Sequence, residues 1–321
     1  MPDNLKDPIK IPSSIRQAEN GRLLLIGGNH GVAKVFASDS PGVPDSRVSV
    51  FLDNHDRRMS WTRTRNITYS QWVFPDPIVF KGSMPPGSVR SIFEASVPLH
   101  IRPSNIMYPL DVIDGHSDRQ SLTDSHYSLV GNMHLAAEVA QKTLSIDTST
   151  ALDVLCSSLL PLVSYTGDLG VQCNPHVSEL RAKPPQLAGI RTASNGVQAG
   201  NMGIIQLTVS ENSMTDRTLL IFGDSFFRSL LPELARYWRS IVFFRTQFFH
   251  DEMIEAIMPD DILCGLAERY FPTTSPDSER PHFLSYPLMM GRRTSPDAEF
   301  PKLWNELVDS KALASIMSSE K

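Results

Sequence analysis

The run from Leu219 to Phe227 constrains the fold of this chain more than any other segment. It reads Leu-Leu-Ile-Phe-Gly-Asp-Ser-Phe-Phe, so an apolar stretch stops at a glycine, an acid and a serine. Apolar residues then recur at helical spacing, at Leu230, Leu231 and Leu234. The change of period predicts a strand, a sharp turn and a helix in direct succession.

Ser225 would lie where α/β folds place ligands, at the carboxyl end of a strand and the start of a helix. Free backbone N–H groups and the helix dipole favour negative charge there, as an oxyanion beside a serine nucleophile requires. Asp and Ser are also preferred N-cap residues, so Asp224 or Ser225 could simply cap the helix. Only half of the G-x-S-x-G pattern is present, because position 227 is Phe.

The segments around this turn predict an α/β fold with a mainly parallel central sheet. Strand, helix, strand, helix and strand follow one another over residues 217–266, with the helices at 227–239 and 250–258. The other predicted elements are strands at 23–26, 67–74 and 203–209, a helix at 128–143, a loop at 36–50 and a final amphipathic helix containing Leu303 and Trp304.

Composition excludes several classes of protein. With 30 basic and 35 acidic residues the net charge is −5, which argues against nucleic acid as a partner. No run approaches about 18 apolar residues, so we expect no transmembrane segment. Cys156, Cys173 and Cys264 are too far apart for a zinc motif, and their odd number does not indicate a disulfide framework.

Histidine spacing offers a partner for the serine. Asp124 and His126 are two residues apart, so in an extended segment both side chains point to the same side. The carboxylate could then orient the imidazole and stabilise the imidazolium that forms when it takes a serine proton. The alternative is that Thr123, Asp124 and Ser128 serve as helix caps and that His126 is an ordinary histidine. We expect no metal, because no H-x-x-x-H pattern is present.

These motifs resemble the alginate O-acetyltransferase family of the AlgJ/AlgX type. The resemblance rests on Asp124-Ser125-His126-Tyr127 followed by Gly223-Asp224-Ser225, and it extends over roughly residues 20–271. It implies an SGNH-hydrolase-like, flavodoxin-like three-layer α/β/α fold with a permuted motif order. Weaker matches are Gly21–Leu25, Tyr69–Pro85, Gly167-Asp168-Leu169, Pro259–Ile262 and Glu268-Arg269-Tyr270.

The resemblance also implies roles for individual residues. Ser225 would be the nucleophile, His126 the general base and Asp124 the residue that orients it. Tyr127 stands where the family usually has Trp, and Asp168 beside its glycine is typical of a turn. The remaining candidates for the oxyanion hole and substrate binding are Gly223, Gly28 with Asn29, Asn201, Asn212 and Arg245, the last facing an anionic sugar or donor phosphate.

The resemblance implies transfer of an acetyl group to a sugar hydroxyl of a bacterial polysaccharide or its precursor. The expected partners are a carbohydrate acceptor, an acyl donor and polysaccharide-assembly proteins, with no bound cofactor. The first residues lack the apolar core of a signal peptide, which favours the cytoplasm and a soluble donor such as acetyl-CoA. The periplasm is the alternative if the sequence lacks an export segment.

We expect three regions: a polar N-terminal arm at 1–20, a catalytic domain at 21–271, and a proline-rich loop with a C-terminal helix at 272–321 that packs on the same domain. Two other functions use the same fold. A carbohydrate esterase would use the same triad with water as acceptor, and a glycan-binding module would use no triad at all.

Overall fold

The computed structural model describes residues 9–28, 31–149, 152, 160–183, 185–198 and 202–309. The protein is a mixed α/β structure built around a seven-stranded sheet, with two separate two-stranded ribbons. In chain order the strands are β1 Ile15–Gln17, β2 Leu23–Leu25, β3 Thr68–Phe74, β4 Ile106–Met107, β5 Leu162–Tyr165, β6 Glu179–Ala182, β7 Ile190–Ser194, β8 Ile205–Ser210, β9 Thr215–Gly223, β10 Trp238–Arg245 and β11 Asp261–Ala267.

The seven-stranded sheet has the order β4-β3-β11-β9-β10-β8-β7. The first five strands in this order run parallel to one another. β8 pairs antiparallel with β10, and β7 pairs antiparallel with β8. The predicted large, mainly parallel sheet is therefore confirmed. β9, which leads to Ser225, lies at its centre between β11 and β10, so both of its edges are paired.

Helices cover both faces of the sheet and account for the three layers. None of the helices within the described ranges has both the length and the apolar character needed to cross a bilayer. The helices are α1 Val32–Phe36, α2 Asp45–Arg63, α3 Ile92–Ser96, α4 Leu110–Ile113, α5 Leu129–Leu144, α6 Ser225–Leu234, α7 Asp251–Ile257, α8 Tyr286–Met289 and α9 Phe300–Leu307.

Side chains that alternate along the central strands point into two separate hydrophobic cores. Leu219 and Ile221 of β9 join the core formed with α5 and α6. Leu220 and Phe222 point the other way, into the core formed with α7 and α9. Because both faces of β9 are buried, the strand reads as an unbroken apolar run, as expected of a central parallel strand.

Helix α2 differs from the sequence prediction, which placed a loop at 36–50. The helix runs from Asp45 to Arg63 and packs against β3. Its inward face carries the polar residues Asn54, His55 and Arg58, all buried. These polar side chains interrupt the apolar periodicity that would have revealed the helix.

Two further predicted elements differ from the structure, one in its pairing and one in its length. The predicted strand at 23–26 forms as β2, but it pairs with β1 in a ribbon outside the main sheet. That pairing orders the second half of the predicted arm, where Ile15 is buried. Helix α6 ends at Leu234 rather than near 239, because Trp238 already starts β10. The C-terminal helix α9 contacts β7 and β8.

A buried ion pair joins α2 to the segment after the sheet. The Arg58 guanidinium donates to both carboxylate oxygens of Asp277, over 2.8 and 2.7 Å. Burial opposes ionisation of Asp277, but the Arg58 charge and hydrogen bonds hold its pKa below the usual range. The guanidinium also bonds to Gln71 of β3, so the pair anchors the helix to the sheet.

Replacing Arg58 with methionine should lower the free energy of unfolding by about 3–5 kcal/mol, because Asp277 would remain buried without its buried guanidinium partner. Arg57 contacts the same carboxylate at 2.7 Å but is 53% exposed. Arg57→Met should therefore cost less than about 1 kcal/mol. Denaturant titration measures both values, and equal effects would contradict this account. Because the pKa of Asp277 is lowered, the Arg58→Met deficit should shrink as pH falls below about 4.

Candidate active site

The turn after β9 separates two roles that the sequence left open. Asp224 is the N-cap of α6: its Oδ1 accepts the backbone N–H of Phe226 over 2.9 Å. Its Oδ2 accepts the N–H of Ala267, at the end of β11, over 2.6 Å. Ser225 is therefore the first helical residue, and its hydroxyl is not used as the cap. Its own backbone N–H belongs to the first turn, where no intrahelical acceptor exists.

Two glycines seat the start of α6 on the sheet. A Cβ at Gly223 would lie 2.8 Å from the Phe227 ring, and one at Gly265 would lie 2.2 Å from it. Phe227 thus packs directly over the backbones of β9 and β11, which are neighbours in the sheet. Either side chain would push the ring away and tilt the helix that carries Ser225.

The structure brings the three predicted residues together. Nδ1 of His126 lies 2.8 Å from Oδ1 of Asp124, and its Nε2 lies 2.8 Å from Oγ of Ser225. The same Asp124 oxygen also accepts the backbone N–H of His126. Burial would raise the pKa of Asp124, but the hydrogen bond and charge of His126, with a bond from Tyr165, hold it well below the usual range. Asp124 is therefore ionised at neutral pH.

We call residues 121–127 the histidine loop. Hydrogen bonds connect it to the segments that follow β3 and β11. Capping of α5 is done by Ser128, whose hydroxyl accepts the N–H of Gly131, so Asp124 is not needed as a cap. Tyr127 is buried, and its hydroxyl donates to the Pro75 carbonyl over 2.7 Å. Arg269 forms a buried 2.6 Å ion pair with Asp76 and donates to the Ser125 carbonyl.

His126 and Ser225 open into a cleft of about 390 Å³. Sequence reasoning missed several of the residues around it. Arg228 had a usable signal, since it follows Ser225 by three residues and so shares its helix face. The others come from a hairpin or a helix face that no local pattern connected to the serine. The missed lining residues include Asn132, Tyr165, Arg181 and Arg228, together with Asp168, which was assigned to a turn.

Other predicted residues lie apart from the triad or beyond the described ranges. Gly223 and Arg245 line a neighbouring cavity of about 190 Å³. Gly28 is exposed and follows β2, outside the main sheet. Asn212 precedes β9, at the end of the strand opposite Ser225, so it cannot serve the oxyanion. Asn29 and Asn201 lie outside the described residues.

Asp124, His126 and Asp168 offer three ligand atoms within 4.8 Å of one another, a spacing that could hold a metal ion. Their atoms are already engaged. Asp124 bonds to His126, and Asp168 accepts two hydrogen bonds from Ser125. We therefore assign the cluster to hydrogen bonding rather than to a metal.

Comparison with solved structures identifies a similar fold. PatB1 from Bacillus cereus aligns with a TM-score of 0.56 at 9% sequence identity, covering 80% of this chain and 96% of that one. The two chains share a fold. No protein-family model matches this chain, and no curated protein matches it at a significant level.

Two other structures give lower scores. The O-acetyltransferase domain of Pseudomonas putida AlgJ aligns with a TM-score of 0.44 at 11% identity, covering 87% of this chain and 99% of that one. A DHHW family protein from Eubacterium siraeum gives 0.45 at 12% identity, covering 64% and 79%.

Asp224→Asn should lower the free energy of unfolding by about 1–3 kcal/mol, because an amide offers only one oxygen to the N–H groups of Phe226 and Ala267. Asp216→Asn is the matched control, since Asp216 is exposed on β9, the strand that precedes Asp224. Denaturant titration compares the two variants. An Asp224→Asn variant as stable as the control would contradict the two hydrogen bonds assigned to Asp224.

Proposed function

We propose that this protein is a serine-dependent O-acyltransferase that moves an acetyl group to a sugar hydroxyl. The observation that carries the proposal is the continuous line of hydrogen bonds from Asp124 through His126 to Ser225, with both ring contacts at 2.8 Å. A base within hydrogen-bonding reach of a serine, and itself oriented by a carboxylate, is the arrangement that nucleophilic catalysis requires. The motif resemblance to the alginate O-acetyltransferases agrees with it.

In the first half of the reaction, Oγ of Ser225 attacks the carbonyl carbon of the acyl donor, and Nε2 of His126 takes the serine proton. The carbonyl oxygen becomes an oxyanion, which the Ser225 backbone N–H and the N-terminus of α6 are placed to stabilise. When the tetrahedral intermediate collapses, the bond to the leaving group breaks and the imidazolium returns the proton to it. The product is an acetyl ester on Ser225.

In the second half, a sugar hydroxyl attacks the acyl-serine and His126 takes its proton. Collapse of the second tetrahedral intermediate breaks the bond to Oγ, which recovers a proton from the imidazolium. The cleft beside Ser225 suits a hydroxyl-rich acceptor, because Asn132, Arg181 and Arg228 present hydrogen-bonding groups along it. We expect a soluble acetyl donor such as acetyl-CoA.

Hydrolysis of carbohydrate esters is a second candidate. The His126 side chain is 23% exposed, so water can approach the point where a sugar hydroxyl would attack. Only the acceptor in the second half distinguishes the two activities, since the acyl-serine is common to both.

Ser225→Ala should reduce acetyl release from 4-nitrophenyl acetate by about 10³-fold or more, because no ester can form. Intact-protein mass spectrometry should detect one acetyl group on the wild type and none on the variant. Ser229→Ala is the matched control, since Ser229 lines the same cleft one turn later but donates to the Phe226 carbonyl. If Ser225→Ala retains the wild-type rate, neither enzyme function stands and a glycan-binding module becomes the better account.

Acceptor dependence separates the transferase from the esterase. Neutral, amino-sugar and uronic-acid oligosaccharides are each added to wild-type protein and 4-nitrophenyl acetate. A transferase should yield acetylated oligosaccharide, detected by mass spectrometry, faster than free acetate. Acetate as the sole product with every acceptor would favour the esterase.

A further inference from the structure

A hairpin outside the main sheet lies against the histidine loop. Its strands, β5 and β6, pair antiparallel from Leu162 opposite Ala182 to Tyr165 opposite Glu179. We call residues 162–182 the clasp. The clasp shares no strand pairing with the seven-stranded sheet, yet its polar side chains bond to the segment 121–126 at several points. It therefore contacts the loop that carries Asp124 and His126 without belonging to the main sheet.

Tyr165 donates a hydrogen bond to the second carboxylate oxygen of Asp124. Oδ1 of Asp124 is used by the ring and backbone N–H of His126, whereas Oδ2 accepts the Tyr165 hydroxyl. Burial and the Asp124 charge raise the pKa of Tyr165 to about 12, so the hydroxyl keeps its proton and remains a donor at neutral pH. The Arg181 guanidinium lies over the Tyr165 ring, 3.1 Å from its centroid, and so packs against one face of the ring. With both oxygens engaged, the carboxylate has no freedom to rotate away from the imidazole.

Carboxylates of the clasp fix the backbone on both sides of Asp124. Asp168 accepts the Ser125 N–H over 2.7 Å and the Ser125 hydroxyl over 2.6 Å. Glu179 accepts the N–H groups of Leu122 and Thr123, over 2.9 and 3.2 Å. These bonds hold the residues immediately before and after Asp124.

A close backbone approach joins the clasp to the same loop. A Cβ at Gly167 would lie 2.4 Å from the carbonyl oxygen of Thr123, so only glycine allows the contact. The N–H groups of Leu169 and Gly170 both donate to that carbonyl. The loop is thus held by backbone as well as side-chain bonds.

We propose that Tyr165 and Asp168 are positioning residues that hold the Asp124–His126 pair in line with Ser225. Tyr165 acts through Oδ2 of Asp124, the oxygen that does not contact His126. Asp168 acts through Ser125. This inference rests on the proposed function, because it assigns these residues a part in proton transfer between His126 and Ser225.

The geometry explains why such positioning is needed. Ser225 follows a strand of the central sheet, whereas His126 lies on a loop outside it, so the 2.8 Å contact joins two separate elements. A displacement of about 1 Å between reacting groups can cost on the order of 100-fold in rate. The contacts on the sheet side hold Ser125 and Tyr127, whereas the clasp adds a bond on Asp124 itself.

Tyr165→Phe removes only the hydroxyl that bonds to Asp124. We expect kcat with 4-nitrophenyl acetate to fall by about 10-fold to 100-fold while KM changes little, because alignment rather than binding is lost. The acid limb of the pH profile of kcat/KM should also move to higher pH. Without the tyrosine bond more negative charge remains on Asp124, which favours the imidazolium form of His126.

Tyr108→Phe is the matched control. Tyr108 donates to the buried carboxylate of Glu268 over 2.7 Å, so the substitution deletes the same kind of bond outside the cleft. It should leave kcat and the pH profile unchanged, whatever it does to the melting temperature. Loss of stability alone therefore does not imitate loss of positioning.

Asp168 is tested by a graded pair of variants. Asp168→Ala removes both acceptors for Ser125, whereas Asp168→Asn keeps one oxygen. If Asp168 acts through Ser125, kcat should fall further in Asp168→Ala than in Asp168→Asn. Adding Ser125→Ala to Asp168→Ala should then cause little further loss, because the interaction is already absent. Melting curves identify any variant that fails to fold, and the milder Asp168→Asn then decides.

The outcomes separate this inference from the proposed function. If Tyr165→Phe and Asp168→Asn retain wild-type kcat and pH profile while Ser225→Ala abolishes acetylation, the positioning role is wrong and the nucleophile stands. If Ser225→Ala keeps full activity, the proposed function itself fails. A fall in kcat with a shifted acid limb in Tyr165→Phe, absent in Tyr108→Phe, supports the positioning role.

Discussion

The site depends on one half-buried carboxylate. Asp224 bonds to the first turn of α6 through one oxygen and to the end of β11 through the other. Burial raises its pKa, and the two backbone donors counter that effect by stabilising the charged form. If Ser225 had to cap the helix, its hydroxyl would turn toward the backbone N–H groups of α6. Asp224 takes that role and leaves the serine hydroxyl to His126.

The second half of the site is assembled by tertiary packing rather than by the sheet. His126 and Ser225 are 99 residues apart in the chain, so no local preference brings them together. The Phe226 ring joins the two halves, with its centroid 4.9 Å from that of His126 and 5.1 Å from that of Tyr127. The residue next to the serine therefore supports the histidine, and any shift of α6 would move both groups.

How much of the site could be predicted from the sequence depended on how far apart the interacting residues lie in the chain. The strand, turn and helix around Ser225 were predictable because an unbroken apolar run meets helical spacing there. The pairing of Asp124 with His126 was predictable because two residues separate them. The second bond of Asp224 was not predictable, since its partner Ala267 lies 43 residues away. The clasp was missed for the same reason: Tyr165 bonds to Asp124 across 41 residues.

Asp124 and Asp168 bring two carboxylates close to His126. Burial and the charge of Asp124 raise the pKa of Asp168, so bringing these acids together is unfavourable while the imidazole is neutral. Asp124, His126 and Asp168 have ligand atoms within 4.8 Å of one another, so an imidazolium would be attracted to both acids. In the proposed mechanism His126 acquires this charge when it takes the Ser225 proton. In that mechanism the local repulsion would be relieved in the charged state, so the arrangement would favour the transition state over the resting state.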